Sequence, residues 1–261
     1  MGNLINYSSK QGIATIELNN PPANAYSYGM FREMDAAILD ARMDNDVHVI
    51  VLRGAGDTFF CAGADIKMLN QADPSFKYYF CMHANETLCR LEATPKLVIA
   101  AIGGHCVGGG LEVALAADLR IARSGSYKIG LPEVALGVLP GTGGTQRLTR
   151  ALGASKAFEL MASGQLFGVD EAAKLGIVNQ VVDSDDYWSA VTEYAAQFCP
   201  PNRASQAVGL IKRAVIAGGE LPLHSGLAIE RELQQRLFCA EDAKEGLSAH
   251  VDRRKPEFSG R

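Results

Sequence analysis

Apolar positions along the chain switch between two periods. Gly12–Leu18 (GIATIEL) alternates apolar and polar residues and is β-branched, which predicts a strand. Asn19–Ala25, with Pro21-Pro22, breaks it. Met30, Met34, Ile38 and Ala41 then recur at helical spacing, and Ser27 is placed to cap a helix running to about Met43. Val47–Leu52 predicts a second strand, ended by Gly54-Ala55-Gly56-Asp57. Pro74 opens another helix through about Leu91, with Tyr79, Met82, Glu86 and Cys89 on its turns. Leu97–Ile102, Leu119–Ala122 and Ile177–Val182 read as further strands. Strands alternating with helices predict an α/β fold with largely parallel pairing. From about Asp185 strand signals vanish and helices take over at Tyr187–Phe198, Ser205–Ala217 and Leu227–Cys239, punctuated by Pro200-Pro201 and Gly218-Gly219.

Composition narrows the class. Of 261 residues, 48% are hydrophobic and 21% charged, which excludes a mainly disordered chain and leaves ample material for a core. Lys and Arg number 25 against 29 Asp and Glu, and this mild acidity gives no support for a nucleic-acid partner. No apolar run approaches the roughly 18 residues of a membrane span. The first residues lack the basic and apolar regions of a secretory signal, and Asn6 stands where a myristoylation site needs Ser or Thr. Six cysteines are scattered with no C-x-x-C pair and read as reduced thiols. A cytoplasmic protein is expected, with an organellar protein that has lost a transit peptide as the alternative.

Glycine is the compositional oddity, at 27 residues. Gly103-Gly104-His105-Cys106-Val107-Gly108-Gly109-Gly110 follows the strand Leu97–Ile102 and precedes the apolar helical run Val113–Ala117. A second cluster spans Gly137–Thr145, and a smaller one surrounds Gly63. None fits the P-loop or the G-x-G-x-x-G template. Two readings stay open: tight turns and close packing, or side-chain-free backbone that lets a ligand approach N–H groups.

Two carboxylates adjoin the clusters. Glu112 lies in an apolar run and Glu133 just precedes the second cluster. In one cleft they would share acid–base work, their titrations pushed apart by burial and repulsion; otherwise they are solvated surface charges. His105 is a weaker candidate base. The histidines lack metal-ligand spacing, and no G-x-S-x-G elbow occurs. Arg253-Arg254-Lys255 reads as a solvated basic run or a phosphate contact.

At these residues the sequence resembles the enoyl-CoA hydratase/isomerase (crotonase) family over essentially its whole length. The landmarks are Phe60–Lys67 (FCAGADIK), Gly108–Glu112 (GGGLE), Leu131-Pro132-Glu133 and Leu139–Leu148 (LPGTGGTQRL). The resemblance implies a crotonase-like spiral of ββα units over residues 1–195 and a helical C-terminal trimerisation region over 196–261, assembled as a homotrimer or dimer of trimers. It implies an acyl-CoA substrate, with CoA part of that substrate and no metal or other cofactor. The thioester oxygen would accept hydrogen bonds from the backbone N–H groups of Ala64 and Gly109, stabilising enolate charge. A side chain at position 109 would obstruct the thioester. Glu112 and Glu133 match the catalytic glutamates of hydratases, Glu112 orienting water and Glu133 delivering the α-proton. Ala25, Ala62, Ala64, Asp65, Ile66 and Lys67 match the CoA site, Gly141 a loop beside the thioester, and Arg253 a position against a neighbour's CoA.

Two features depart from the best-known hydratases. The glutamates stand 21 positions apart, one more than usual, as an insertion around Arg123–Ser126 would produce, and His250 replaces a usual Phe. Keeping both glutamates favours hydration. An isomerase is the main alternative, and a non-catalytic acyl-CoA-binding subunit or an RNA-binding relative belongs to a different class. The acyl pocket would draw on the helix Phe76–Leu91, with Phe80, Met82 and His83 as wall candidates.

Overall fold

The computed structural model describes residues 4–183 and 185–261. Strands β1 (Ile5–Lys10) and β2 (Ile13–Leu18) form an antiparallel hairpin. Helix α1 (Tyr28–Met43) is capped by Ser27, whose hydroxyl accepts from Met30 N, and it buries Met30, Phe31, Met34, Ala37, Ile38 and Ala41, the expected stripe. Next come β3 (Val49–Gly54), β4 (Phe59–Cys61), α2 (Ile66–Gln71) and α3 (Pro74–Glu92), the last capped by Asp73 with Pro74 at its first position. Then follow β5 (Leu97–Ile102), β6 (His105–Val107) and α4 (Gly109–Leu115). The strands β7 (Leu119–Arg123) and β8 (Ile129–Gly130) precede a 3-10 turn at Glu133–Leu136. Helices α5 (Gly144–Leu152), α6 (Ala154–Ser163) and α7 (Val169–Lys174), strand β9 (Gln180–Val182), and helices α8 (Tyr187–Ala196), α9 (Ser205–Gly219), α10 (Leu223–Phe238) and α11 (Glu241–Asp252) complete the chain.

The strands sort into two sheets, ordered β1-β2-β3-β5-β7-β9 and β4-β6-β8. Beyond the β1–β2 hairpin every strand-to-strand ladder among the described residues is parallel. Each of β3, β5 and β7 is followed by its short counterpart β4, β6 or β8, so each repeat places one strand in each sheet and then a helix. This is the expected ββα spiral. All six residues of β5 are buried because both faces of the large sheet are covered. One face meets α1, α3 and α4; the other meets Tyr187, Val191 and Ala195 of α8. Helix α9 is anchored by a buried ion pair, Lys212 Nζ to Asp118 Oδ2 at 2.9 Å, and by Gly209, where a Cβ would fall 2.0 Å from Pro95 O.

Two expectations need correction. The first glycine cluster does not lead directly into a helix: β6 intervenes, and the cluster is strand, turn, strand and then α4. Helix α3 carries Tyr79, Met82, Glu86 and Cys89 on its turns as read, and they form its exposed face, whereas Phe80, Ala84, Thr87, Leu88 and Leu91 are buried. Both stripes have helical spacing, so periodicity alone could not choose between them. The strand expected at Ile177–Val182 shrinks to β9, because the N–H groups of Ile177 and Val178 both bond to Ala172 O and close α7.

Candidate active site

The site forms where the three glycine loops meet. After β4 the chain passes through Gly63, at φ +91°, and is clamped beside Tyr26: Tyr26 N donates to Gly63 O and Asp65 N donates to Tyr26 O. Opposite, Gly108, at φ +56°, turns β6 into α4. The two segments approach so closely that a Cβ on Gly63 would lie 2.8 Å from Gly109 N. Among the described residues neither the Ala64 N–H nor the Gly109 N–H has an acceptor, which leaves two neighbouring backbone donors available. Gly109 is required for a reason the sequence did not reveal. A Cβ there would sit 1.9 Å from the Tyr26 hydroxyl, so the first obstruction is protein.

Glu112 lies one turn into α4 and is 2% exposed. Its Oε1 accepts from Thr142 N and Gly144 N, both at 2.7 Å, so the second glycine loop is folded onto this carboxylate. A Cβ on Gly144 would come within 3.0 Å of Glu112 Oε1. The loop is held from behind by Arg147, which donates to Thr142 O and makes a two-point pair with Glu92 at 2.8 and 2.5 Å. Thr142 itself is buried, its hydroxyl 2.9 Å from that of Tyr26. Burial raises the Glu112 pKa, and the two loop N–H bonds oppose the rise.

Glu133 opens the 3-10 turn and faces Gly108, where a Cβ would lie 3.2 Å from its Oε1. Its Oε2 is buried without a hydrogen-bond partner. Burial, reinforced by the charge of Glu112, pushes its pKa up to about 7. The two glutamates thus stand in one cleft in different circumstances. One is pinned by backbone donors; the other is partnerless at one oxygen and balanced between its acid and base forms near neutrality.

This balance has a cost in stability with a definite sign. The folded pKa lies above the ordinary carboxylate value, so the native state binds the proton more tightly than the unfolded chain. Stability therefore falls as pH rises from about 4.5 through about 7 and stays lower above it. Glu133→Gln should stabilise the protein at pH 8 by about 1–2 kcal/mol after solvent screening at this partly exposed site. The gain should vanish near pH 4. Urea denaturation of both proteins at the two pH values measures it.

The other expected residues fall into place unevenly. Ala62 N donates to Ala23 O, Ala25 O accepts from Asn20 Nδ2, and Tyr26 bridges Ala64, so Ala25, Ala62 and Ala64 lie on adjoining backbone segments. Asp65 caps α2, its Oδ1 accepting from Lys67 N and Met68 N, which leaves Ile66 and Lys67 exposed at the helix start. Gly141 faces α3, where a Cβ would meet Cys81 Sγ at 3.2 Å. Of the wall candidates, Phe80 packs edge-on to Tyr26 and His83 to Tyr28, whereas Met82 is exposed on the outer face of α3. Arg253 closes α11 at φ +56°, and among the described residues no contact joins it or His250 to the cleft. Among the described residues no group of three His, Cys, Asp or Glu side chains is placed to hold a metal ion.

Sequence reasoning missed Tyr26 and the Arg147–Glu92 pair. Arg147 and Thr142 stood inside a quoted motif without a role; Tyr26 carried no local signal.

The chain is similar to known proteins over nearly its whole length. Residues 8–261 match the enoyl-CoA hydratase/isomerase family. The chain is 37% identical over 250 residues to the short-chain-enoyl-CoA hydratase of Clostridium acetobutylicum, covering 95% of each protein. It is 39% identical over 255 residues to the mouse mitochondrial enoyl-CoA hydratase domain-containing protein 2, covering 96% of this chain and 86% of that one. A crystal structure of an enoyl-CoA hydratase from Geobacillus kaustophilus superposes with a TM-score of 0.97 at 44% identity, covering 100% of this chain and 98% of the other. One from Bacillus anthracis gives 0.92 at 33% identity, covering 99% and 100%.

Proposed function

The chain belongs to the enoyl-CoA hydratase/isomerase family, and from that premise we propose that it adds water across the trans-2 double bond of an enoyl-CoA thioester to give a 3-hydroxyacyl-CoA. The observation that carries this reading is the unequal carboxylate pair beside two free backbone donors.

The chemistry divides among these groups. The thioester oxygen accepts from Ala64 N–H and Gly109 N–H. Water held by the two glutamates bonds through its oxygen to C3, and one of its protons passes to ionised Glu133. The electron pair of the double bond moves toward the thioester oxygen as an enolate, where the two N–H groups stabilise it; one such donor lowers the barrier by about 3 kcal/mol. Glu133 then returns the proton to C2. The product carries H at C2 and OH at C3, and the enzyme is restored. A group with a pKa near 7 suits both halves of this transfer. The addition is redox-neutral and uses no cofactor beyond the CoA of the substrate.

Ala25, Ala62, Ala64, Asp65, Ile66, Lys67 and Gly141 would receive CoA. Asp65 acts through the α2 start that it caps, and Lys67 offers an exposed ammonium to phosphate. Arg253 would serve a neighbouring copy. Self-association as a trimer or a dimer of trimers is supported by exposed apolar side chains on the last three helices, among them Ile211, Val215, Leu223, Phe238, Leu247 and Val251. No described helix is long and apolar enough to cross a membrane; a cytoplasmic location fits the six free thiols. Isomerisation is the second reading, because the partnerless Oε2 of Glu133 alone can carry a proton between C2 and C4.

The test is incubation with crotonyl-CoA. Hydration predicts loss of the conjugated enoyl absorbance. Absence of any loss with crotonyl-CoA and longer trans-2-enoyl-CoA substrates would refute the proposal.

A further inference from the structure

A further charged group lies near the glutamates. Lys77 projects from α3 toward the second glycine loop, its Nζ 3.8 Å from the position a Cβ on Gly141 would occupy. The next residue, Thr142, supplies one of the two N–H groups that hold Glu112. The stem of Lys77 is half-buried, and its ammonium lies 5.9 Å from the centre of the Phe80 ring. Among the described residues it pairs with no carboxylate at contact distance.

We propose that Lys77 is a positioning residue of the reaction, its unpaired ammonium set across the Gly141 loop so that its field falls on the negative charges of both Glu112 and Glu133. Two like charges in one partly dry cleft repel, and a third, positive charge at its wall offsets that repulsion without bonding to either carboxylate. A direct ion pair would occupy Glu133 Oε2, the atom that must exchange a proton. A cation held back by the loop leaves that atom open. The direction agrees for both glutamates: the charge of Lys77 lowers the proton affinity of each.

Among the described residues no other free cation is aimed at the pair. Arg147 on α5 is committed to Glu92. Tyr26 ahead of α1 and Cys61 at the end of β4 are neutral, buried groups whose pKa values burial raises. Asp65 is engaged as the α2 cap, and Cys81 on α3 is a free thiol.

The catalytic meaning of the inference rests on the roles proposed above for the glutamates, but its primary test does not. Carbon-13 NMR of carboxyl-labelled glutamate can follow Glu133 directly, its signal assigned by its disappearance in Glu133→Gln. In Lys77→Met the midpoint should rise by about one pH unit relative to the parent. Lys77→Arg should restore it to within about 0.3 of a unit. Lys77→Gln repeats the measurement with a polar head at the half-buried position. A Glu133 midpoint unchanged in Lys77→Met and Lys77→Gln would overturn the proposal, as would an equal rise in Lys77→Arg, which would make packing the cause. If the chain hydrates enoyl-CoA, the acidic limb of the kcat/KM profile should move by the same amount with KM nearly unchanged. If it does not, the NMR titration still decides.

Discussion

Glu133→Gln should reduce kcat by about 10²- to 10⁴-fold while the affinity for the acyl-CoA changes little. The amide keeps the shape of the side chain and removes only its ability to take up and release a proton at Oε2, the oxygen that has no hydrogen-bond partner. Glu112→Gln should fall in the same range for a different reason. Both bonds from Thr142 N and Gly144 N end on Oε1, and a glutamine oxygen can accept both, so the loop should stay folded. What is lost is the negative charge that orients water. Steady-state turnover with calorimetric binding of a saturated acyl-CoA separates the two effects. Wild-type turnover in both variants would remove the assigned roles.

Gly109→Val should cost activity and stability together. Its Cβ would fall 1.9 Å from Tyr26 Oη and 2.5 Å from Tyr26 Cζ, in a region with no exposed surface into which Tyr26 could swing. Overpacking of this kind costs about 1–3 kcal/mol. Moving Tyr26 also disturbs its hydroxyl contact with Thr142 and its backbone clamp on Gly63 and Asp65. Displacement of the Gly109 N–H adds about 3 kcal/mol to the barrier, a loss of 10²- to 10³-fold from that donor alone. Activity should become undetectable in a routine assay and the melting temperature should drop. A fully active Gly109→Val enzyme would mean that this N–H does not face the thioester.

Parts of the molecule were legible in the sequence because local physics decides them. β5 is an apolar run with both faces covered, and its bounds are those read from the chain. Ser27 and Asp73 cap the helices expected after them. The strands of the small sheet escaped because β4, β6 and β8 are two or three residues long and lie among glycines, too short to establish a period. Helices α5 to α7 are brief and bounded by Gly143, Gly153, Gly164 and Gly168, so their turn signals mask their helical ones. Helix α11 escaped although it follows the last expected helix closely.

The site divides the same way. Glu112, Glu133, Ala64 and Gly109 stood within motifs that a family resemblance could place. The physical reason for Gly109 did not, because Tyr26 is 83 positions away in sequence and meets it only through the parallel bridge to Ala64. The Arg147–Glu92 pair and the approach of Lys77 to Gly141 likewise exist only once α3 lies against the second glycine loop.

The most direct test of hydration is mass analysis of the product formed from crotonyl-CoA in water labelled with heavy oxygen. The account predicts a 3-hydroxyacyl-CoA heavier than the substrate by one labelled water, with the label on C3. A product of unchanged mass with a shifted double bond, or no product at all, would contradict it.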